Sequence, residues 1–383
     1  MNTTRKISGF FIILLISILM NSCLDYEITT QIYPDGKLER IFKVSGDKDM
    51  IYESSSIKLP ADSTWEIKTW MEPDTTSEKT TDSIYVYRAR KVFRNYKELN
   101  KVLQVDPNVY DLIRIDVELK KRFRWFYSFF VYRETYREFF PYNYLPSDEF
   151  LTKDEIRYCL SNDEDYRYNP VTNKFVPLPE ADTAKVLTKE EKAKAKELDK
   201  DIQNRFEQWQ TKNIYEDYFN ALSAVLAEKD QNANNRLIQH KQELYDSLRL
   251  GEVVDFVDSD KDMKEIKDFI ISGTSKFLSI PHDMLQQSAN TKLQEFFDRL
   301  GFLKINLWYK YHNTVIMPGI LTKTNSVSIA KNNSTWNFSI KDFYVSDYEM
   351  TVQSKVVNNW SVVISIIVVI LLLAGLITGI IRR

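Results

Sequence analysis

Apolar and polar residues alternate with a period of two near both ends of the chain, which is the pattern of strands with one buried face. The first such stretch, residues 26–44, is interrupted by the sequence Pro34-Asp35-Gly36. Proline fixes φ and glycine tolerates positive φ, so this tripeptide predicts the turn of a β-hairpin. Further strands are predicted over residues 64–70, 83–92, 112–119, 123–136, 302–312, 326–331, 335–340 and 348–355.

The strands at 112–119 and 123–136 form a second predicted hairpin with an aromatic second strand. The basic run at residues 120–122 joins them and predicts a charged hairpin tip or sheet edge. Aromatic residues occur on both faces of the second strand, so we expect both faces to be covered. Trp125, Tyr127 and Phe129 share one face; we interpret them as core residues, and the alternative is one wall of an apolar ligand cavity.

The middle of the chain has the spacing of helices. Thr188 and Glu191 fit a capping box, in which a hydroxyl and a carboxylate accept hydrogen bonds from free amides at a helix start. Apolar residues then recur three and four apart among Lys and Glu. Helices are predicted from residue 188 to a break at 230–235, and over 236–250, 260–271 and 282–300, with Gly301 as the last C-cap. Residues 140–187 are predicted to be loop, because prolines interrupt them.

These elements predict an α+β fold, with a mostly antiparallel sheet built from N- and C-terminal strands, an inserted helical region and one C-terminal transmembrane helix. The predicted segments are a signal peptide at 1–22, a β-rich part at 23–187, a helical insertion at 188–301, a second β-rich part of the same domain at 302–359, and a transmembrane helix with a short cytoplasmic tail at 360–383.

Both ends of the chain carry an apolar stretch. Arg5 and Lys6 precede an apolar run at 7–20 that is too short to span a bilayer, which is typical of a signal peptide. Residues 361–381 contain no charged residue, and a helix over them is about 30 Å long, enough to cross the hydrocarbon core. The Arg382-Arg383 pair stays on the cytoplasmic side, so we expect a bacterial inner-membrane protein whose main domain lies in the periplasm.

The predicted transmembrane helix carries a Gly-x-x-x-Gly pattern at Gly375 and Gly379. Small residues at this spacing let two helices approach closely, so these glycines are a candidate contact with a second copy or with a partner helix. The alternative is chance, because glycine is frequent in transmembrane helices.

Composition and motifs point to no catalytic chemistry. The net charge of −2 gives no electrostatic reason to expect nucleic acid. The three histidines stand far apart, and residues 258–262 lack the glycine and the glutamate that complete a calcium loop, so we predict no metal and no other cofactor. No hydrolase, Walker or dinucleotide motif is present, so no catalytic residue is predicted. The competing class is an enzyme with an unrecognised site.

Short motifs at both ends resemble bacterial lipoproteins. The sequence Leu19-Met20-Asn21-Ser22-Cys23 resembles a lipobox, which implies cleavage before Cys23 and acylation of that residue; the alternative is an ordinary cleaved signal that leaves a plain thiol. Five short motifs, Met317-Pro318-Gly319, Thr324-Asn325, Trp336-Asn337-Phe338, Tyr348 and Asn359-Trp360, resemble the last part of LppM-type extracytoplasmic lipoprotein domains. This resemblance implies a β-rich envelope domain without known catalysis that contacts lipids. In its lipobox-like motif and its many aromatic residues and lysines, the chain resembles a lipoprotein of Bacteroidetes-type bacteria.

We therefore expect a membrane-anchored extracytoplasmic lipoprotein that acts as a binding or assembly module at the cell envelope, with membrane lipid and an envelope protein as partners. The alternative is a domain that holds a lipid or another apolar ligand between the aromatic sheet and the helical insertion. Few residues separate the first and last strands from Cys23 and from the C-terminal helix. If both ends enter one membrane, the strand ends near Tyr26 and Lys355 lie close together, and the two strands lie side by side.

Acylation of Cys23 is directly testable. We expect the Cys23→Ala variant to leave a precursor of higher mass that fatty-acid labelling no longer marks, because the acceptor sulfur is gone. Mass spectrometry of the membrane fraction and incorporation of labelled palmitate measure these two effects. Equal labelling of the variant and the parent chain would contradict the lipoprotein assignment.

Overall fold

The computed structural model describes residues 24–53, 55–73, 83–105, 112–142, 144–161, 166–178, 187–248, 263–303 and 309–381. Within these ranges, strands form two β-sheets and one small hairpin, and α-helices complete an α+β fold, so the predicted fold class is confirmed. The strands are β1 Asp25–Ile32, β2 Leu38–Gly46, β3 Glu66–Pro73, β4 Ser83–Phe93, β5 Ile115–Phe123, β6 Tyr127–Tyr136, β7 Tyr166–Asn169, β8 Lys174–Pro177, β9 Lys310–Ile316, β10 Ile320–Thr324, β11 Ser328–Ala330, β12 Asn333–Ser339 and β13 Tyr348–Val357. The helices are α1 Lys48–Glu53, α2 Tyr96–Leu103, α3 Lys153–Cys159, α4 Lys189–Lys229, α5 Gln231–Gln239, α6 Lys241–Leu248, α7 Met263–Leu278, α8 His282–Ala289, α9 Gln294–Phe302 and α10 Asn359–Ile381.

The larger sheet joins the two ends of the chain, as the sequence predicts. Its strand order is β11-β12-β9-β1-β2-β4-β3. The predicted first hairpin is formed by β1 and β2, and Gly36 in its turn has φ +95°, a conformation that glycine adopts without steric cost. On its other edge β1 pairs in parallel with β9, so the N-terminal and C-terminal segments meet at the centre of the sheet.

The smaller sheet has the order β10-β13-β6-β5 and also combines early and late strands. Its longest pairing runs antiparallel from Tyr348 opposite Tyr136 to Val357 opposite Tyr127. Strand β6 buries alternate residues from Ser128 to Tyr136, while the intervening side chains are exposed or half-buried. The expectation that both of its faces are covered is therefore wrong, because only one face turns towards the larger sheet.

The helices from α4 to α9 pack together beyond one end of the two sheets. Helix α4 begins at the predicted capping box, with Thr188 accepting from the amide of Glu191. The segment that leaves β6 connects this helical region to the sheets: Phe139 stacks on Phe302 at 4.2 Å between ring centroids, and Phe140 lies 4.3 Å from Trp209. A continuous apolar core therefore runs from the sheets into the helices.

A fully buried ion pair links the two sheets. Arg40 of β2 donates from both terminal nitrogens to Glu134 of β6, at 2.9 and 2.7 Å, and neither side chain is exposed. Glu134 also accepts from the hydroxyl of Tyr132 at 2.6 Å and from the amide of Asn313 at 3.0 Å. Burial alone would raise the pKa of Glu134, but the charge of Arg40 and these hydrogen bonds outweigh it, so the pKa lies below its ordinary value.

The start of β1 and the end of β13 lie at opposite ends of the sheets. Tyr26 stacks on Tyr311 at 5.1 Å, Tyr311 stacks on Phe338 at 5.3 Å, and Phe338 stacks on Tyr348, the first residue of β13, at 4.6 Å. Lys355 lies near the other end of β13, roughly 23 Å away at about 3.3 Å per residue. The expectation that the first and last strands lie side by side is therefore wrong, because β1 and β13 belong to different sheets. Attachment of both ends to one membrane stays a prediction.

The basic run of the second hairpin lies on a sheet edge, because β5 is the last strand of the smaller sheet. Strand β5 continues through the basic run at 120–122 as far as Phe123, which pairs with Ser128. The turn is formed by residues 124–126, with reciprocal backbone hydrogen bonds between Arg124 and Tyr127. The edge alternative is therefore confirmed for residues 120–122, while the turn itself lies at residues 124–126, where it contacts Asn358 and Trp360.

Local signals were also misjudged between the strands and the helices. Residues 140–187 contain α3, which begins at a capping box of Thr152 and Glu155, and the small β7–β8 hairpin, so the loop prediction was wrong in part. Gly301 lies inside α9 and is not a C-cap, because the helix continues to Phe302, whose ring packs on Phe139.

The buried ion pair predicts a specific pattern of stability. We expect Arg40→Met to lower the free energy of unfolding by about 3–5 kcal/mol, because the carboxylate of Glu134 then stays buried without its partner. The double variant Arg40→Met with Glu134→Leu is expected to recover most of this loss. Denaturant unfolding of the full chain in detergent, followed by circular dichroism, measures both effects; a double variant as unstable as the single one would contradict the assignment.

The same pair predicts the direction of the pH dependence. Because the folded pKa of Glu134 lies below its ordinary value of 4.5, its charged form stabilises the fold. This contribution is complete above about pH 4.5 and is lost as the pH falls through the folded pKa. The double variant should lack this part of the acid destabilisation.

Candidate functional site

The C-terminal helix α10 is long and apolar enough to cross a membrane, and nearly all of its side chains are exposed. A helix that is apolar on all sides is unfavourable in water, so lipid or another protein has to cover it. It follows β13 almost directly, since Asn358 alone separates Val357 from the first helical residue. The helix therefore leaves the domain at a fixed point at the end of the smaller sheet.

Asn358 holds this junction against the tip of the β5–β6 hairpin. Its side-chain amide donates to the backbone carbonyls of Arg124 at 2.7 Å and Trp125 at 3.2 Å, and its own backbone amide donates to the carbonyl of Phe126 at 2.9 Å. Its side-chain oxygen accepts from the hydroxyl of Ser128 at 2.9 Å. One buried residue thus donates hydrogen bonds to the carbonyls of all three turn residues and fixes the start of α10 beside the turn.

Aromatic side chains reinforce the junction. Trp360 in the first turn of α10 stacks on Phe123 at 5.9 Å and meets the edge of Trp125 at 5.4 Å. The indole nitrogen of Trp125 donates to the hydroxyl of Ser365, one turn further along α10, at 2.9 Å. The three rings remain about half exposed, so they cover the start of the helix without being buried themselves.

A cleft of about 820 Å³ lies at the other end of the smaller sheet, where the sheets meet the helical region. Its walls combine aromatic rings such as Phe140 with the charged groups of Asp116, Arg137 and Asp347. Arg137 bridges both carboxylates, at 2.6 Å to Asp116 and 2.8 Å to Asp347, and these hydrogen bonds raise its pKa. The cleft is therefore polar on the side of the sheet.

The helical side of the cleft carries a second ion pair. Arg299 of α9 contacts both carboxylate oxygens of Asp217 at 2.9 Å, and the hydroxyl of Tyr144 donates to the same carboxylate at 2.8 Å. The hydroxyl of Tyr142, also in the cleft, is buried and has no hydrogen-bond partner in the part of the chain that the structure describes. Burial, and then the charge of Asp217, raise the pKa of Tyr142 well above its ordinary value, so this hydroxyl stays protonated.

The site residues predicted from the sequence lie apart from this cleft. Trp125, Tyr127 and Phe129 lie at or beside the hairpin tip, so the structure does not place them between the sheet and the helical region. Gly375 lies on the exposed part of α10 with open space around it, and Gly379 lies one turn further along the same helix. Contact of these glycines with another helix stays a prediction. Cys23 lies outside the described residues, so its acylation also stays a prediction.

Sequence reasoning missed the residues that build the junction and the cleft. Asn358 did carry a local signal, because it is polar and directly precedes an apolar helix. In the structure its backbone carbonyl accepts from the amide and hydroxyl of Ser361, while its side chain bonds to the hairpin turn instead of capping the helix. The ion pair of the cleft carried no local signal, since Asp217 and Arg299 lie in separate helices.

Cys159 is the free cysteine among the described residues, and burial raises the pKa of its thiol to about 12. The same residues contain no group of three or more histidine, cysteine, aspartate and glutamate side chains arranged to hold a metal ion.

Comparison with known proteins assigns neither a family nor a function to this chain. No protein-family model and no curated protein matches the sequence. Among solved structures, the chain is similar to the folded domain of the Mycobacterium tuberculosis LppM protein, determined by NMR, with 8% sequence identity, a TM-score of 0.28, and coverage of 89% of this chain and 94% of that one. A TM-score this low carries no conclusion about site or function. Lipoprotein status and a Bacteroidetes-type origin stay predictions.

The junction predicts a selective effect of one asparagine. We expect Asn358→Ala to weaken the turn by about 1–3 kcal/mol, because the carbonyls of Arg124 and Trp125 lose their donor. Hydrogen exchange at the amide of Tyr127, which donates to Arg124, should then become faster in the full chain. Asn359→Ala changes an exposed neighbour and is the matched control; equal exchange in both variants would contradict the role of Asn358.

Proposed function

We propose that this chain is a membrane-anchored extracytoplasmic module that binds or assembles with a partner at the bacterial cell envelope. The observation that carries the proposal is the exposed apolar helix α10, which leaves the folded domain without a flexible linker. The basic pair Arg382-Arg383 and the signal-like N-terminus support an orientation with the domain outside the cytoplasmic membrane.

The cleft between the sheets and the helical region is the proposed binding surface. It combines aromatic walls, two sets of paired charges and the unsatisfied hydroxyl of Tyr142. Buried polar groups are normally hydrogen-bonded, so a partner that supplies an acceptor or a donor to Tyr142 would complete the site. This mixed lining favours a polar peptide surface over a purely apolar ligand, and a bound lipid is the second candidate.

Photo-crosslinking in intact cells tests this function with the full chain. A photoreactive amino acid is placed at Gln104 or at Glu138, which are exposed and line the cleft. The matched control is Val171, which is 90% exposed in the turn between β7 and β8. Membranes are washed with alkaline carbonate before the adducts are resolved by mass.

We expect the chain to stay in the washed membranes, and the two cleft positions to give the same discrete protein adduct while Val171 gives none. Loss of the chain into the carbonate wash would contradict the membrane anchor. Retention in the membrane with no adduct, or with equal adducts at all three positions, would contradict binding at the cleft. An adduct with the mass of a lipid would favour the second candidate.

A further inference from the structure

The tip of the β5–β6 hairpin is an exposed apolar surface. Eight consecutive residues, Lys120 to Tyr127, are exposed. Four of them are aromatic: Phe123, Trp125, Phe126 and Tyr127 are 56, 48, 48 and 39% exposed. Trp360, which is 51% exposed, contacts Phe123 and Trp125, and these five aromatic residues are called the tip patch below. Patches of this kind on folded domains mark contacts with proteins or membranes.

The charges of the hairpin tip itself are basic. Residues 119–127 contain four basic residues and no acidic residue, although the whole chain has a net charge of −2. Lys120 pairs with Glu118 at 2.8 Å, and Lys121 donates to the carbonyl of Pro34 at 2.7 Å. Arg122 and Arg124 are exposed and form no ion pair with the residues that the structure describes. Lys355 lies 5.3 Å over the ring of Tyr127, which brings a further positive charge to the patch.

We propose that the tip patch inserts into the headgroup region of an anionic bilayer, with its aromatic rings in the interface and Arg122 and Arg124 on lipid phosphates. Tryptophan and tyrosine favour this depth because their rings are apolar at one side and polar at the other. Basic side chains beside a membrane helix are attracted by anionic lipids, and the guanidinium of arginine, which is less strongly hydrated than an ammonium group, can bind a phosphate with two hydrogen bonds. The inference rests on the membrane anchorage proposed above and adds a second contact with the same bilayer.

Continuity with α10 favours lipid over a second protein as the occupant. Trp125 bonds to Ser365, so the tip patch lies level with the first two turns of the helix. When α10 crosses a bilayer, the patch is already at the level where the helix enters it, and no movement of the domain is needed to bring them together. Asn358 holds the two in this arrangement.

Spin labelling of the full chain in vesicles tests the depth of the tip. A label is attached at Phe126→Cys in a background with Cys23→Ser and Cys159→Ser, and a label at Leu371→Cys in the middle of α10 reports on anchorage. Tyr52→Cys, an exposed position in helix α1, is the aqueous control. Accessibility to oxygen, which concentrates in lipid, and to a nickel chelate, which stays in water, is measured for each label.

We expect the label at residue 126 to have a ratio of oxygen to nickel accessibility several-fold above that of the label at residue 52, and below that at residue 371. A label at 126 that is open to nickel, with 371 in lipid, overturns tip insertion and leaves the anchor standing. A label at 371 that is open to nickel overturns the anchor itself. Low accessibility of residue 126 to both reagents means that protein covers the tip, either a second copy or another chain, and also overturns the inference.

The role of charge is tested with variants of the same labelled chain. Arg122→Glu with Arg124→Glu should reduce the oxygen-to-nickel ratio at residue 126 in vesicles that contain phosphatidylglycerol, and should change it little in pure phosphatidylcholine. Lys174→Glu with Lys192→Glu, which changes two exposed basic residues near the helical region by the same total charge, is the matched control. Equal effects of the two pairs, or none from either in anionic vesicles, would overturn the binding of lipid phosphate by Arg122 and Arg124.

Discussion

The fold depends on the ion pair of Arg40 and Glu134, which is fully buried between the two sheets. An apolar core tolerates small changes of register, but the carboxylate of Glu134 must meet the guanidinium of Arg40 or lose several kcal/mol. A shift of β6 by one residue would also turn Glu134 to the outer face. The pair therefore selects one alignment of the sheets, and this alignment decides which loops gather at each end of the molecule.

One consequence of this alignment is that the two ends of the domain have different chemistry. The end at which α10 leaves is aromatic and basic, with Asn358 joining the hairpin tip to the helix. The other end carries the cleft, where Arg137 and Arg299 are neutralised by carboxylates and aromatic rings connect the sheets to the helical region. The proposed membrane contact and the proposed partner contact thus lie on separate surfaces, so one would not obstruct the other.

The sequence was sufficient wherever neighbouring residues determine the structure. Pro34-Asp35-Gly36 predicted the first turn, Thr188 with Glu191 predicted the start of α4, and the uncharged run predicted α10. It failed where the deciding partner is distant. Arg40 and Glu134 are 94 residues apart, and Trp125 meets Ser365 across 240 residues. Aromatic residues with strand spacing look the same whether they face a core, a ligand or a membrane, so the sequence pattern of the hairpin did not reveal its environment.

The length of strand β13 sets the distance between the cleft and the start of α10. Its ten residues extend to roughly 33 Å, close to the thickness of a hydrocarbon core at about 30 Å, and it runs from beside the cleft to the start of α10. No flexible segment interrupts this distance. If α10 crosses a bilayer, a lipid whose tails remain packed beside it spans only about half of that thickness and would not reach the cleft as well. Any occupant of the cleft has to arrive through the aqueous space or be lifted completely out of the bilayer, and the length of a single strand sets that requirement.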